Sequence, residues 1–156
     1  MKFPSNLLFK LDTRQENGSL RSLSPQNDLI DFSSNDYLGF AKNPIIFKQV
    51  QEDLDTYLPI NGSTGSRLLS GNFDFHEALE YQLAAFFNAE AALLFNSGYD
   101  ANIGLLSSVP QRGDCIFYDE NSHASIRDGI RLSHAKSYRF KHNDLDDLRL
   151  KLEKTG

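Results

Sequence analysis

An α/β fold with a mainly parallel sheet is predicted for this chain of 156 residues, and three observations predict it. Beyond residue 90, short apolar runs alternate with stretches of helical spacing, the pattern of strands joined by right-handed helical crossovers. The composition is 40% hydrophobic and 24% charged, as in an ordinary globular domain. A chain of this length buries roughly 70% of its unfolded surface, so one sizeable core is within reach. No internal repeat is present that would suggest a solenoid.

Each element has its own signal. Residues 1–27 are polar and weakly periodic and read as an arm with a short helix around residues 7–11. Residues 28–32 alternate as a strand does, then meet the turn formers Ser33, Ser34, Asn35, Asp36 and Gly39. Asn43 before Pro44 starts a helix over residues 44–58, with Ile46, Val50 and Leu54 at helical spacing. The glycine- and hydroxyl-rich stretch 60–71 carries Arg67, Leu68 and Leu69, which a mere spacer has no use for, so it reads as a structured loop. Phe75, Leu79, Leu83 and Phe86 then mark an amphipathic helix. Strands follow at 91–95, 115–118 and 137–140, and helices at 100–108, 123–133 and 145–154, the last capped by Asn143 or Asp144. The natural division is 1–40, an arm with a first strand, and 41–156, part of a larger domain. Parallel sheets are normally covered and continued, and this one has too few strands, so the chain is expected to stop mid-domain.

Charge and apolar runs exclude several functions. The chain has 16 Lys and Arg against 21 Asp and Glu, a net charge of -5, which argues against a nucleic-acid binder needing a basic face. Its apolar runs fall far short of the roughly 20 residues of a membrane-spanning helix. No apolar core of a secretory signal follows Met1, and a cytoplasmic location is expected. A lone Cys115 can form no internal disulfide or cysteine cluster; it lies in an apolar run and is expected to be a core thiol.

Two segments are candidates for chemistry. In residues 96–102 a strand passes through Gly98 into a helix, where free N–H groups suit a phosphate and Tyr99 adds an aromatic face. The bland alternative is a plain strand-to-helix turn. In residues 119–125 His123 falls at the same sheet edge, able to stack on a ring, accept a proton or bind a metal. Its alternative is an incidental histidine beside a capping Ser122. The spacings of Asp119, Glu120, His123, Asp128 and His134 match no recognised metal arrangement, so no metal site is expected. His76 and His142 sit at helix starts and read as solvated.

Taken in order, residues 31–39, 62–71, Ser97 to Asn102, Ser122 to Ser125, Arg131 to Ser133 and His142 to Asp144 form a linked series. That series resembles the α-oxoamine synthases, fold-type I pyridoxal-phosphate enzymes that condense an amino acid with an acyl-CoA. The resemblance runs from about Leu11 to the last residue. It implies the N-terminal part of the large domain of such an enzyme, a homodimer, with pyridoxal 5'-phosphate as cofactor. The implied substrates are an amino acid, expected to be alanine, and an acyl-CoA, expected to be pimeloyl-CoA, although glycine C-acetyltransferase and serine palmitoyltransferase share much of the pattern. By position, Gly98 and Tyr99 match the phosphate contact. His123 matches the catalytic histidine that stacks on the cofactor and faces the substrate. Arg21 falls where an arginine meets the acyl-CoA, and Asn35 and Ser66 lie in motifs bordering the substrate site. The resemblance also implies that the lysine holding the cofactor lies beyond residue 156, since none of the chain's lysines stands in the family's lysine motif. A noncatalytic, flavodoxin-like phosphate or nucleotide module is the reading from another class.

Overall fold

The computed structural model describes residues 3–23, 30–56 and 61–155. The chain divides into two compact units, residues 1–60 and 61–156. The first contains α1 (Ser5–Glu16), a short 3-10 turn (Phe40–Lys42) and α2 (Pro44–Thr56). The second contains α3 (Asp74–Phe86), α4 (Gly98–Ser108), β1 (Cys115–Asp119), α5 (Ala124–Leu132), β2 (Lys136–Phe140) and α6 (Leu145–Thr155).

In the first unit, local side-chain caps set the chain's course. The Asn43 carboxamide oxygen accepts from the N–H of Ile45 at 2.9 Å, so α2 starts at the expected Asn-Pro pair. Asp36 accepts from the N–H of Phe40 at 2.8 Å and from that of Ala41, closing the 3-10 turn. The expected strand at 28–32 is not found in its described part. Residues 30–32 carry no strand, because Asp31 Oδ1 takes the N–H groups of Ser33 and Ser34 at 2.9 and 3.0 Å and bends the chain. Residues 28 and 29 lie outside the described residues. Helix α1 runs well beyond the short helix expected at 7–11.

In the second unit β1 and β2 pair in parallel, Cys115 opposite Lys136 and Asp119 opposite Phe140. Helix α5 makes the crossover between them, as strand–helix alternation predicts. The stacked rings of Phe117 and Tyr138, centroids 5.3 Å apart, cover one face of this ribbon. The sheet has two strands among the described residues, where three were expected. Residues 91–95 do alternate in exposure, but they have no ladder partner there, and the Leu94 N–H instead donates to Glu80 Oε1 at 2.7 Å. Cys115 is exposed, which corrects the core-thiol expectation: it opens β1 at its outer end.

The deepest burial lies where α5 crosses α4. Ser125, Gly129 and Ile130 are buried there, at spacings that put them on one face of α5. A Cβ at Gly129 would come 2.9 Å from the Asn102 carbonyl oxygen and 3.2 Å from the Cα of Ile103. Glycine is therefore what lets the two helices approach. The same close packing draws the first turns of both helices together.

Candidate functional site

Ser97 caps α4. Its Oγ accepts from the Asp100 N–H at 3.0 Å and donates to Asp100 Oδ2 at 2.9 Å, a reciprocal arrangement that turns that carboxylate back onto the cap. The helix thus begins at Gly98, two residues before the expected start. The N–H groups of Gly98 and Tyr99 donate to no described residue. They stand at the positive end of an eleven-residue helix, where a phosphate is favoured by both the dipole and the unsatisfied donors. Space around Gly98 is open, with nothing within 4 Å of where a Cβ would stand.

His123 is the cap of α5, with Nδ1 accepting from the Ser125 N–H at 3.2 Å. The expected alternative, Ser122 as the cap, is corrected: the ring nitrogen itself fills that position. The His123 and Tyr99 ring centroids lie 6.2 Å apart and nearly perpendicular, so the α4 N-terminus and the imidazole border one place. Two cross-helix bonds hold them there. The Tyr99 hydroxyl donates to Asp128 Oδ2, and Asn102 Nδ2 donates to Ser125 Oγ at 2.9 Å. Tyr99 and Asn102 are three apart on α4, as are Ser125 and Asp128 on α5, so one face of each helix supplies both bonds. The hydrogen bond to Asp128, then burial and the nearby carboxylates of Asp128 and Asp100, raise the Tyr99 pKa and keep the phenol protonated.

Ser66 lies in the glycine-rich loop of the same unit. Its carbonyl oxygen gathers the N–H groups of Leu69, Ser70 and Gly71, so its backbone is the pivot of that loop. A Cβ at Gly71 would collide with the carbonyl of Gly65, which explains the glycine. The residue that ties the loop down is Arg67. It grips Glu80 with both terminal nitrogens, Nη2 to Oε2 at 2.9 Å, and its Nε donates to Asn72 Oδ1 at 2.8 Å. Those bonds, the Leu94 N–H and the guanidinium charge bring the Glu80 pKa down to about 2.

Arg21 and Asn35 lie in the first unit. Arg21 lines a groove of about 290 Å³ with Lys10 and Arg14 and with Phe3, Leu7, Leu11 and Leu20, three cations over an apolar floor. Asn35 is exposed and accepts from the Tyr37 hydroxyl at 3.5 Å. His142, expected to be solvated, is bonded: its Nδ1 meets Asp119 Oδ1 at 2.9 Å, and the N–H groups of Asn143 and Asn121 also donate to Asp119. Those donors lower the Asp119 pKa. His76, likewise expected to be solvated, accepts from the Phe73 N–H through Nδ1 at 3.2 Å.

Sequence reasoning assigned no role to Asn102, Ser125 and Asp128. Ser125 carries a signal, two residues after His123 in a helix start. Asn102 and Asp128 carry none, because their partners are 23 and 29 residues away.

The model for aminotransferase class I and II matches residues 27–156. An 8-amino-7-oxononanoate synthase of Lysinibacillus sphaericus is 49% identical over 124 residues, which is 80% of this chain and 31% of that protein. The Sphingomonas wittichii serine palmitoyltransferase structure superposes with a TM-score of 0.68 at 39% identity, over 76% of this chain and 29% of that one. A serine palmitoyltransferase from S. paucimobilis, determined with bound PLP and myriocin, gives a TM-score of 0.77 at 26% identity, over 96% of this chain and 42% of that one. The chain spans less than half the length of these relatives. No described helix is long and apolar enough to cross a membrane.

Proposed function

The chain belongs to the aminotransferase class I and II family, with the α-oxoamine synthases as its relatives, and from that premise we propose that it carries half of a pyridoxal 5'-phosphate site. The reaction proposed for the whole protein is the decarboxylating condensation of L-alanine with pimeloyl-CoA, a step of biotin synthesis, in a cytoplasmic homodimer. The observation that carries the reading is the meeting of two unsatisfied N–H groups, at Gly98 and Tyr99, with the His123 imidazole beside them. The fit to the cofactor rests on that chemistry: donors without acceptors for a phosphate, no side chain at Gly98 to bar its approach, and an aromatic wall.

When bound, the cofactor supplies an electron sink for the carbanion formed at the amino acid's α-carbon. The chain's residues have narrower tasks. Gly98 and Tyr99 anchor the phosphate through their N–H groups. His123 would lie against the cofactor ring and face the amino acid. Arg21 meets the acyl-CoA in a groove whose cations suit an anionic group and whose floor suits an acyl chain. Asn35 and Ser66 border the substrate, Ser66 on a loop that Arg67 and Glu80 hold in place.

The test is a pair of measurements on the full-length enzyme. Pyridoxal phosphate should bind with a change in its visible absorbance, and His123→Ala should lower turnover about 100-fold while leaving the melting temperature nearly unchanged. Tight binding of a mononucleotide without any response to pyridoxal phosphate contradicts the proposal, and so does unchanged turnover in the His123 variant.

A further inference from the structure

We infer that Asn102 and Ser125 act as positioning residues that hold His123 in one tautomer, with the proton on Nε2, so that it meets its ligand as a hydrogen-bond donor. The inference deepens the site reading above and rests on it for what His123 faces. The bond directions themselves follow from the geometry alone. The Ser125 N–H is an obligate donor, and it points at His123 Nδ1 at 3.2 Å. Nδ1 is therefore an acceptor, and in a neutral imidazole the other nitrogen must carry the proton.

The rest of the network agrees with that direction. Ser125 Oγ lies 2.8 Å from the same Nδ1, and with that nitrogen an acceptor the hydroxyl is the donor of the pair. The hydroxyl then has only acceptor capacity left, and the Asn102 amide fills it from 2.9 Å with its NH₂ group. Ser125 is fully buried, so no water competes for these bonds. Asn102 is kept within reach because Gly129, one turn beyond Ser125, brings α5 against the backbone of Asn102. A chain of donors therefore runs from Asn102 through Ser125 to His123 and ends at the exposed side of the ring. His123 Nε2 bonds to no described residue and is free to donate to a carboxylate or carbonyl oxygen. Held this way, the resting ring polarises such an oxygen and does not take a proton from it at Nε2.

Two substitutions in the full-length holoenzyme test this, read by ¹⁵N signals of labelled histidine at about pH 8.5, where an unperturbed imidazole is neutral. Ser125→Ala removes the hydroxyl proton. Asn102→Asp is nearly isosteric, but its carboxylate only accepts, so it pulls the Ser125 proton away from the ring. The parent protein should show His123 protonated on Nε2 alone. Asn102→Asp should show the Nδ1-protonated form appearing, because the Ser125 hydroxyl then accepts from Nδ1. Ser125→Ala keeps the backbone N–H on Nδ1, and with it the Nε2 form, but shifts the Nδ1 signal through the loss of one donor. Both should lower kcat about tenfold with KM for the amino acid within about twofold, as expected for lost orientation. A parent ring protonated on Nδ1 overturns the inference, as do ring signals unchanged in both variants, whatever turnover does. Failure of the cofactor reading shows up separately, as absence of pyridoxal phosphate binding to the parent.

Discussion

The two units are held together by different kinds of bond. In the first, no described side-chain hydrogen bond spans more than five residues: Asp31 bends onto Ser33 and Ser34, Asp36 onto Phe40 and Ala41, and Asn43 onto Ile45. In the second, local caps at Ser97 and His123 are joined by bonds between elements that link residues 13 to 29 apart in sequence, from Arg67–Glu80 to Tyr99–Asp128. Loops and helix starts can be made by neighbours alone. Bringing a helix N-terminus to an imidazole takes contacts that pay their loop-closure entropy only once the whole unit has formed. Substitutions in the second unit should therefore act cooperatively, and those in the first should stay local.

The largest structural effect should follow Arg67→Ala. It leaves the Glu80 carboxylate, with a side chain only 14% exposed, without its guanidinium, and it frees the glycine loop from α3. The melting temperature should fall by roughly 5–10 °C; an unchanged value would show that the loop is held by something else. Gly129→Ala comes next. Helix propensity favours alanine by about 1 kcal/mol, but the added Cβ meets the backbone of α4, and overpacking typically costs about 1–3 kcal/mol. A net loss of about 1 kcal/mol is expected in urea unfolding, with a wider spacing of α4 and α5. A gain in stability would mean that the crossing is looser than described.

Acid titration separates the units further. Glu80 has its pKa lowered to about 2 from an ordinary value of 4.5, so its contribution to stability is complete above about pH 4.5 and is lost as the pH falls towards 2. Circular dichroism should show the second unit loosening in that window, and Glu80→Gln should flatten the response. Asp31 also has its pKa lowered to about 2, from 3.8, by the N–H and hydroxyl groups of Ser33 and Ser34. Its window runs from about pH 3.8 down to 2, but its loss releases one exposed turn. Asp31→Ala, the smallest effect, should leave the melting temperature of the second unit unchanged; a clear drop would erase the contrast drawn here.

The same contrast explains what could be read from the sequence. Helix starts were legible at Asn43 and Asp144, whose side chains cap their own helices. Gly98 was legible as a glycine opening a helix after an apolar run and His123 as part of a strand-to-helix turn, and their order along the chain pointed to the family. Strand 91–95 was misread because a short apolar run reports a tendency to burial and says nothing of a ladder partner. His142 is exposed, as read, but its bond to Asp119 was not legible because that partner lies 23 residues upstream. Arg67 stood out in its loop, but nothing local named Glu80. Residues whose roles depend on distant partners are where single-sequence reasoning stops.

The account turns on Gly98 and Tyr99 holding a phosphate through their backbone N–H groups, and Gly98→Pro tests it most directly. Proline suits the first position of a helix, and the extended Ser97 before it is compatible, so the substitution removes one N–H while keeping α4. In the full-length enzyme, the affinity for pyridoxal 5'-phosphate should fall about tenfold, the worth of one charge-assisted hydrogen bond, while the affinity for pyridoxal, which lacks the phosphate, stays the same. Equal affinities for pyridoxal phosphate before and after the substitution would contradict the account.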